Sequence, residues 1–175
     1  MTGNIVLVGP MGAGKSTVGR YLASRLFYSF VDTDHLIEER AGADIPWIFD
    51  VEGEAGFRVR ETAILDYLQG VESHVIATGG GIVIRPENHQ KLKVLGKVVY
   101  LTASIEQLLA RTAKDKKRPL LQVADPRSRI EELLQQRDPL YRTLADYVLQ
   151  TDGRSSKWVV QQILQLLDAT RQNVL

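Results

Sequence analysis

Gly9-Pro10-Met11-Gly12-Ala13-Gly14-Lys15-Ser16 stands between an apolar run at residues 5–8 and a segment at 15–26 where Val18, Leu22, Ala23 and Leu26 recur at helical spacing. The apolar run is β-branched and leucine-rich and stops at a glycine, as a strand buried on both faces does. The octapeptide fits the Walker A pattern G-x-x-x-x-G-K-[ST] in the strand–loop–helix context the pattern requires. Its glycines let several N–H groups turn inward, and the helix that opens at Lys15 sets its positive dipole end beneath bound phosphate. Lys15 supplies a point charge for β- and γ-phosphates, and the Ser16 hydroxyl is a candidate Mg²⁺ ligand. Gly12, Ala13, Gly14 and Thr17 are the other expected nucleotide contacts in this loop.

Working outward, residues 5–8 read as the first, central strand. Further strands are expected at 30–32, 75–77, 98–101 and 147–149. Helical patterns lie between them at 36–40, 54–68, 88–94, 105–112 and 127–136, and a last amphipathic helix covers 157–167. This alternation predicts an α/β fold with a parallel sheet covered on both faces and chemistry gathered in the loops after strands. Gly79, Gly80 and Gly81 follow the third strand, where backbone is free to approach a ligand closely. Residues 113–126 carry Lys114, Lys116, Lys117 and Arg118, two prolines and few apolar anchors, and read as a mobile loop.

The chain has 175 residues, 44% of them apolar and 25% charged, which fits one globular domain spanning 1–175. Lysine and arginine number 22 against 21 acids, for a net charge of +1, so no global field draws nucleic acid or membrane. Cysteine is absent, which excludes disulfides and thiolate-held zinc and fits a cytoplasmic protein. No basic segment precedes the short first apolar run and no apolar run is long enough to span a bilayer, so a soluble chain complete from its first residue is expected.

The Walker A motif alone does not separate kinases from switches or motors. No Asn-Lys-x-Asp guanine-reading motif occurs, and the fourth strand ends Tyr100-Leu101-Thr102 without the acid of a conventional Walker B. The metal therefore needs another carboxylate. Asp32 and Asp34 close the second strand, two apart in extended chain and so on one side of the sheet, with Asp32 placed to hold a metal through water and Asp34 to face an acceptor. The competing reading makes them a helix cap and a solvated acid. Glu54, Arg58 and Glu61 share one helical face, which spacing alone reads equally well as a surface salt-bridge ladder. His35, His74 and His89 show no metal-ligand spacing and read as surface or packing residues; Trp47 and Trp158 read as packing groups.

Taken together, the GPMGAGKST loop, Asp32-Thr33-Asp34, Gly53-Glu54-Ala55-Gly56-Phe57-Arg58 and the triple glycine resemble the shikimate kinase family, and Arg118-Pro119-Leu120-Leu121 and Arg137-Asp138-Pro139-Leu140-Tyr141 extend the resemblance over almost the whole chain. It implies a three-layer α/β/α fold of the P-loop NTPase type with a five-stranded parallel sheet. It further implies conversion of ATP and shikimate to ADP and shikimate 3-phosphate with Mg²⁺, in aromatic amino-acid biosynthesis; a monomer is expected. On the same resemblance Asp34 binds the substrate hydroxyls within an acceptor-binding region at 33–61. Arg58 and Arg137 hold the substrate carboxylate, and Glu61 orients Arg58. Phe49, Phe57 and Gly79, Gly80 and Gly81 line the site. Residues 113–126 become a lid whose Arg118 reaches the transferring phosphoryl group, while Arg111 and Arg154 flank adenine. The rival readings are another small-molecule P-loop kinase, with a gluconate-like or nucleotide acceptor, and a non-catalytic ATP-binding switch.

Overall fold

The first strand, β1 (Asn4–Val8), is buried at all five positions because it is the middle of a five-stranded sheet of order β2-β3-β1-β4-β5. The computed structural model describes residues 3–113, 115 and 118–172. The other strands are β2 (Ser29–Asp32), β3 (His74–Ala77), β4 (Gly96–Thr102) and β5 (Tyr147–Gln150), and every pairing is parallel. Alternation along β1 divides the core in two. Ile5 and Leu7 join one cluster with Leu22, Val99, Leu101 and Ile163, whereas Val6 and Val8 join another with Ile64, Ile76, Tyr100 and Tyr141.

The helices that supply these layers are α1 (Lys15–Leu26), α2 (Thr33–Ala41), α3 (Ile45–Tyr67), α4 (Pro86–Leu95), α5 (Ile105–Thr112), α6 (Pro126–Leu144) and α7 (Ser156–Gln172). Helix α6 serves both clusters, giving Ile130 and Leu133 to the first and Tyr141 and Leu144 to the second. Among the described residues no helix is long and apolar enough to cross a membrane.

Several expectations are corrected. The third helix begins at Ile45, capped by the Asp44 side chain, which accepts from Trp47 N at 2.9 Å. It kinks at Gly53, whose φ of 70° suits glycine. That non-helical residue is why the pattern is legible only from position 54. Helix α6 runs on past Gln136 and through Pro139 to Leu144, because burying Tyr141 and Leu144 outweighs the local cost of the proline. Trp47 is half exposed rather than packed, at 52% of its surface. The loop at 113–126 is better anchored than its composition suggests: Pro119–Leu121 form one 3-10 turn and Leu121 is buried in the first core cluster. Lys114, Lys116 and Lys117 lie outside the described residues.

Candidate active site: a phosphate loop beside an arginine-lined pocket

The loop after β1 is held tight to the sheet. Gly9 sits at φ 146°, and a Cβ there would meet the Leu101 carbonyl oxygen at 2.2 Å, so only glycine lets the chain leave β1 at this point. Gly14, in the left-handed region at φ 96°, caps α1 and leaves its first amides facing the loop. Lys15 is buried and its ammonium donates to the carbonyls of Gly9 and Pro10 at 2.7 and 2.8 Å. Burial, then the neighbouring charge of Arg118, lowers its pKa from 10.5 to about 7.

Asp32 ends β2 and Asp34 already lies in the first turn of α2. The two acids are therefore not successive same-side positions of one extended strand. Asp32 is instead the helix cap, its Oδ1 accepting from the Asp34 and His35 amides at 3.0 and 3.3 Å. Its other oxygen accepts from the Ser16 hydroxyl at 2.6 Å. The cap reading of Asp32 holds, and the carboxylate oxygen bonded to Ser16 is turned towards the phosphate loop.

A cleft of about 410 Å³ opens over this loop. Its walls include Gly12 through Thr17, Asp32, Arg111, Arg118 and Arg154, so the expected nucleotide residues all line it. Arg111 donates to Gly12 O at 3.0 Å, and the Arg154 guanidinium lies 4.6 Å from the centre of the Trp158 ring. Thr78, Thr151, Ser156 and Val159 also line the cleft and were missed. Thr78 and Thr151 each follow a strand end, which is the signal that points to them.

A second pocket adjoins the first, and Asp34 and Arg118 line both. Phe49, Phe57, Arg58, Glu61, Gly79, Gly80, Gly81 and Arg137 line it as expected, joined by Met11, Ile45, Pro119 and Leu120. Ile45 went unrecognised because the start of α3 was not legible. Phe49 and Phe57 meet with ring centres 5.0 Å apart. The acid–arginine face of α3 is no surface ladder. Arg58 and Glu61 are buried and bonded at 2.6 Å, with half-exposed Glu54 on the other guanidinium nitrogen at 2.9 Å.

Two of the three glycines are required by these charges. A Cβ on Gly79 would lie 2.5 Å from Asp34 Oδ1, and one on Gly81 would lie 2.2 Å from Arg58 Nη1. The pocket also holds unmet polar capacity. Asp34 Oδ1, Arg58 Nε, Glu61 Oε1 and Arg137 Nε are buried without a hydrogen-bond partner. Burial raises the Asp34 pKa and the Asp32 charge adds to it, while Arg118, whose Nη1 is 4.0 Å from Asp34 Oδ2, pulls the other way. Burial likewise pushes Glu61 up against the pull of Arg58.

A family model for shikimate kinase matches residues 11–168. This chain belongs to the shikimate kinase family. A shikimate kinase of Vibrio parahaemolyticus is 56% identical over 94% of this chain and 96% of its own. One of Pseudomonas paraeruginosa is 57% identical over 94% of this chain and 95% of its own. Among solved structures, a shikimate kinase from Acinetobacter baumannii in complex with shikimate superposes with a TM-score of 0.94 at 50% identity, covering 96% of this chain and 94% of that one.

Proposed function

We propose that this chain transfers the γ-phosphate of ATP to the 3-hydroxyl of shikimate, giving shikimate 3-phosphate and ADP on the route to chorismate and the aromatic amino acids. The observation that carries the reading is the pair of buried arginines, Arg58 and Arg137, in a pocket that shares Asp34 with the phosphate cleft. Arg58 is matched by Glu61 and Glu54, whereas Arg137 forms no ion pair among the described residues and leaves a positive charge that an acceptor carboxylate neutralises. The Phe49 and Phe57 rings offer apolar surface to the ring carbons of a carbocyclic acceptor.

In the reaction the acceptor oxygen attacks the γ-phosphorus, the bond to the β-phosphate oxygen breaks, and the hydroxyl proton passes towards Asp34. Asp34 lines both pockets and burial raises its pKa, which suits it to take the proton. Positioning carries much of the rate, since a loose phosphoryl transfer asks little of a base. Lys15 and Arg118 stabilise negative charge on the phosphate oxygens, and Arg111 and Arg154 flank the adenine.

Ser16 and Asp32 present hydroxyl and carboxylate oxygens to the cleft, the donor types that Mg²⁺ selects. Among the described residues no cluster of three or more His, Asp or Glu forms a full protein cage, which suits an ion that keeps waters and phosphate oxygens as ligands. When bound there, Mg²⁺ neutralises charge on the β- and γ-phosphates. Residues 113–126 act as the lid that brings Arg118 over both substrates, and residues 33–61 form the acceptor-binding region. In this reading the working unit is a monomer in the cytoplasm, acting without a nucleic-acid or membrane partner.

The test is direct. Purified protein is given ATP and Mg²⁺ with shikimate, gluconate or nucleoside monophosphates in turn, and ADP release is recorded. Shikimate alone should support it; release with gluconate or a nucleotide favours the rival kinase, and no release with any acceptor favours a switch.

A further inference from the structure

Tyr141 belongs to no pocket wall facing the acceptor, yet it is fully buried and its hydroxyl donates to the Gly80 carbonyl. A buried phenol needs a partner, and a phenylalanine would pack the same ring without one. The chosen partner matters. Gly79 and Gly81, on either side, are the residues that make room for Asp34 and Arg58.

The glycine stretch is tied at three places. Gly79 N donates to Thr33 Oγ1 at 3.1 Å, which fixes it to the start of α2. Asn88 Nδ2 donates to Ile82 O at 2.8 Å, which fixes it to α4. The Tyr141 bond is the tie to α6, the helix that carries Arg137 one turn earlier. The Arg137 guanidinium bears on the same hydroxyl from that earlier turn. The Tyr141 ring itself is held by Tyr100, with centres 4.8 Å apart, and the Tyr100 hydroxyl donates to Asp138 at 2.7 Å. The hydroxyl therefore sits on a fixed ring between Arg137 and the loop that covers Arg58.

We propose that Tyr141 is a positioning residue whose hydroxyl sets the spacing between Arg137 on α6 and Arg58 beneath Gly81, so that both guanidinium groups converge on one acceptor carboxylate. This rests on the reading of the second pocket as the acceptor site. Tyr141 lines neither the phosphate cleft nor the acceptor pocket, so its loss reads out in acceptor affinity and not in the transfer step.

The experiment compares the parent with Tyr141→Phe, with 4-aminophenylalanine installed at position 141, and with Tyr100→Phe as a control. Kinetics are measured with shikimate and ATP, and folding is followed by thermal unfolding. Loss of one aligned hydrogen bond predicts a rise of roughly tenfold in acceptor KM for Tyr141→Phe, with kcat and the ATP KM near the parent's. The amino group restores a donor to Gly80 and should return the acceptor KM most of the way. Tyr100→Phe keeps the ring that packs on Tyr141 and loses only the bond to Asp138, so it should leave the acceptor KM unmoved. An unchanged acceptor KM in Tyr141→Phe overturns the proposal. So do equal losses for acceptor and ATP, a fall in kcat alone, a failure of the amino variant to recover affinity, or a Tyr141→Phe protein that does not fold, each of which assigns the hydroxyl to another role. A parent that does not turn over shikimate overturns the functional reading itself, a result visible before any variant is made.

Discussion

The Arg58 guanidinium and the Glu61 carboxylate meet at 2.6 Å, one turn apart on α3, with Glu61 fully buried. A buried charge whose partner is removed costs about 3–5 kcal/mol. Glu61→Ala should therefore lower stability by that order and raise the acceptor KM, because Arg58 loses the group that aims it. Denaturant unfolding and acceptor kinetics check both; a stable variant with parental KM would contradict the orienting role.

The triple glycine makes a graded prediction. Gly79→Ala and Gly81→Ala drive a methyl group into Asp34 Oδ1 and the Arg58 guanidinium, whereas at Gly80 the nearest atoms are 3.5 Å away. Alanine at 79 should lower kcat/KM by roughly 10²-fold or more through the displaced acid. Alanine at 81 should mainly raise the acceptor KM, and alanine at 80 should be tolerated. Steady-state kinetics on the three variants would show the order 79, 81, 80; a different order contradicts the placement of these side chains.

Lys15 gives a pH signature. Burial first, then Arg118, lowers its pKa to about 7, while nucleotide phosphates favour its charged form. Free protein at about pH 8 thus holds Lys15 mostly neutral, and binding Mg²⁺–ATP should restore the proton. Below about pH 6 the proton is already present and uptake should vanish. Calorimetry in buffers of different ionisation enthalpy measures the proton count; zero uptake at the higher pH would contradict it.

Phe27 caps α1 in the left-handed conformation at φ 56° with its ring 96% exposed. Its amide donates to Ala23 O and Ser24 O, a helix ending that glycine usually occupies. Phe27→Gly relieves the backbone at little cost in contacts and should stabilise the protein by about 0.5–1 kcal/mol without altering kinetics. Thermal unfolding decides; a destabilised variant would show that the ring contributes more than its exposure indicates.

Much of this architecture was legible because short-range chemistry dictates it. The glycine after residues 5–8, the Gly-Lys-Ser ending and the helical spacing of Val18 and Leu22 locate β1, the loop and α1 without tertiary information. The first half of α3 was hidden by the kink at Gly53, and the end of α6 by Pro139, since burial decides both against local preference. Asp32 and Asp34 were recognised as a pair, but which of them belonged to the strand was not, because a helix cap and a strand end share the same residue type. Tyr141 stands in the last motif of the family resemblance, but no local signal points to the partner of its hydroxyl. Its partner, Gly80, is 61 residues away, and only folding brings them together.

The central claim is that two buried arginines grip the acceptor's carboxylate while Asp34 faces its hydroxyl. The most direct measurement is kcat/KM for shikimate and for an analogue lacking the carboxylate, in the parent, Arg58→Ala and Arg137→Ala. The account predicts that the parent strongly prefers the acid, that either substitution raises the acid's KM while sparing ATP binding, and that the analogue loses little more. Equal proportional losses for acid and analogue would contradict it.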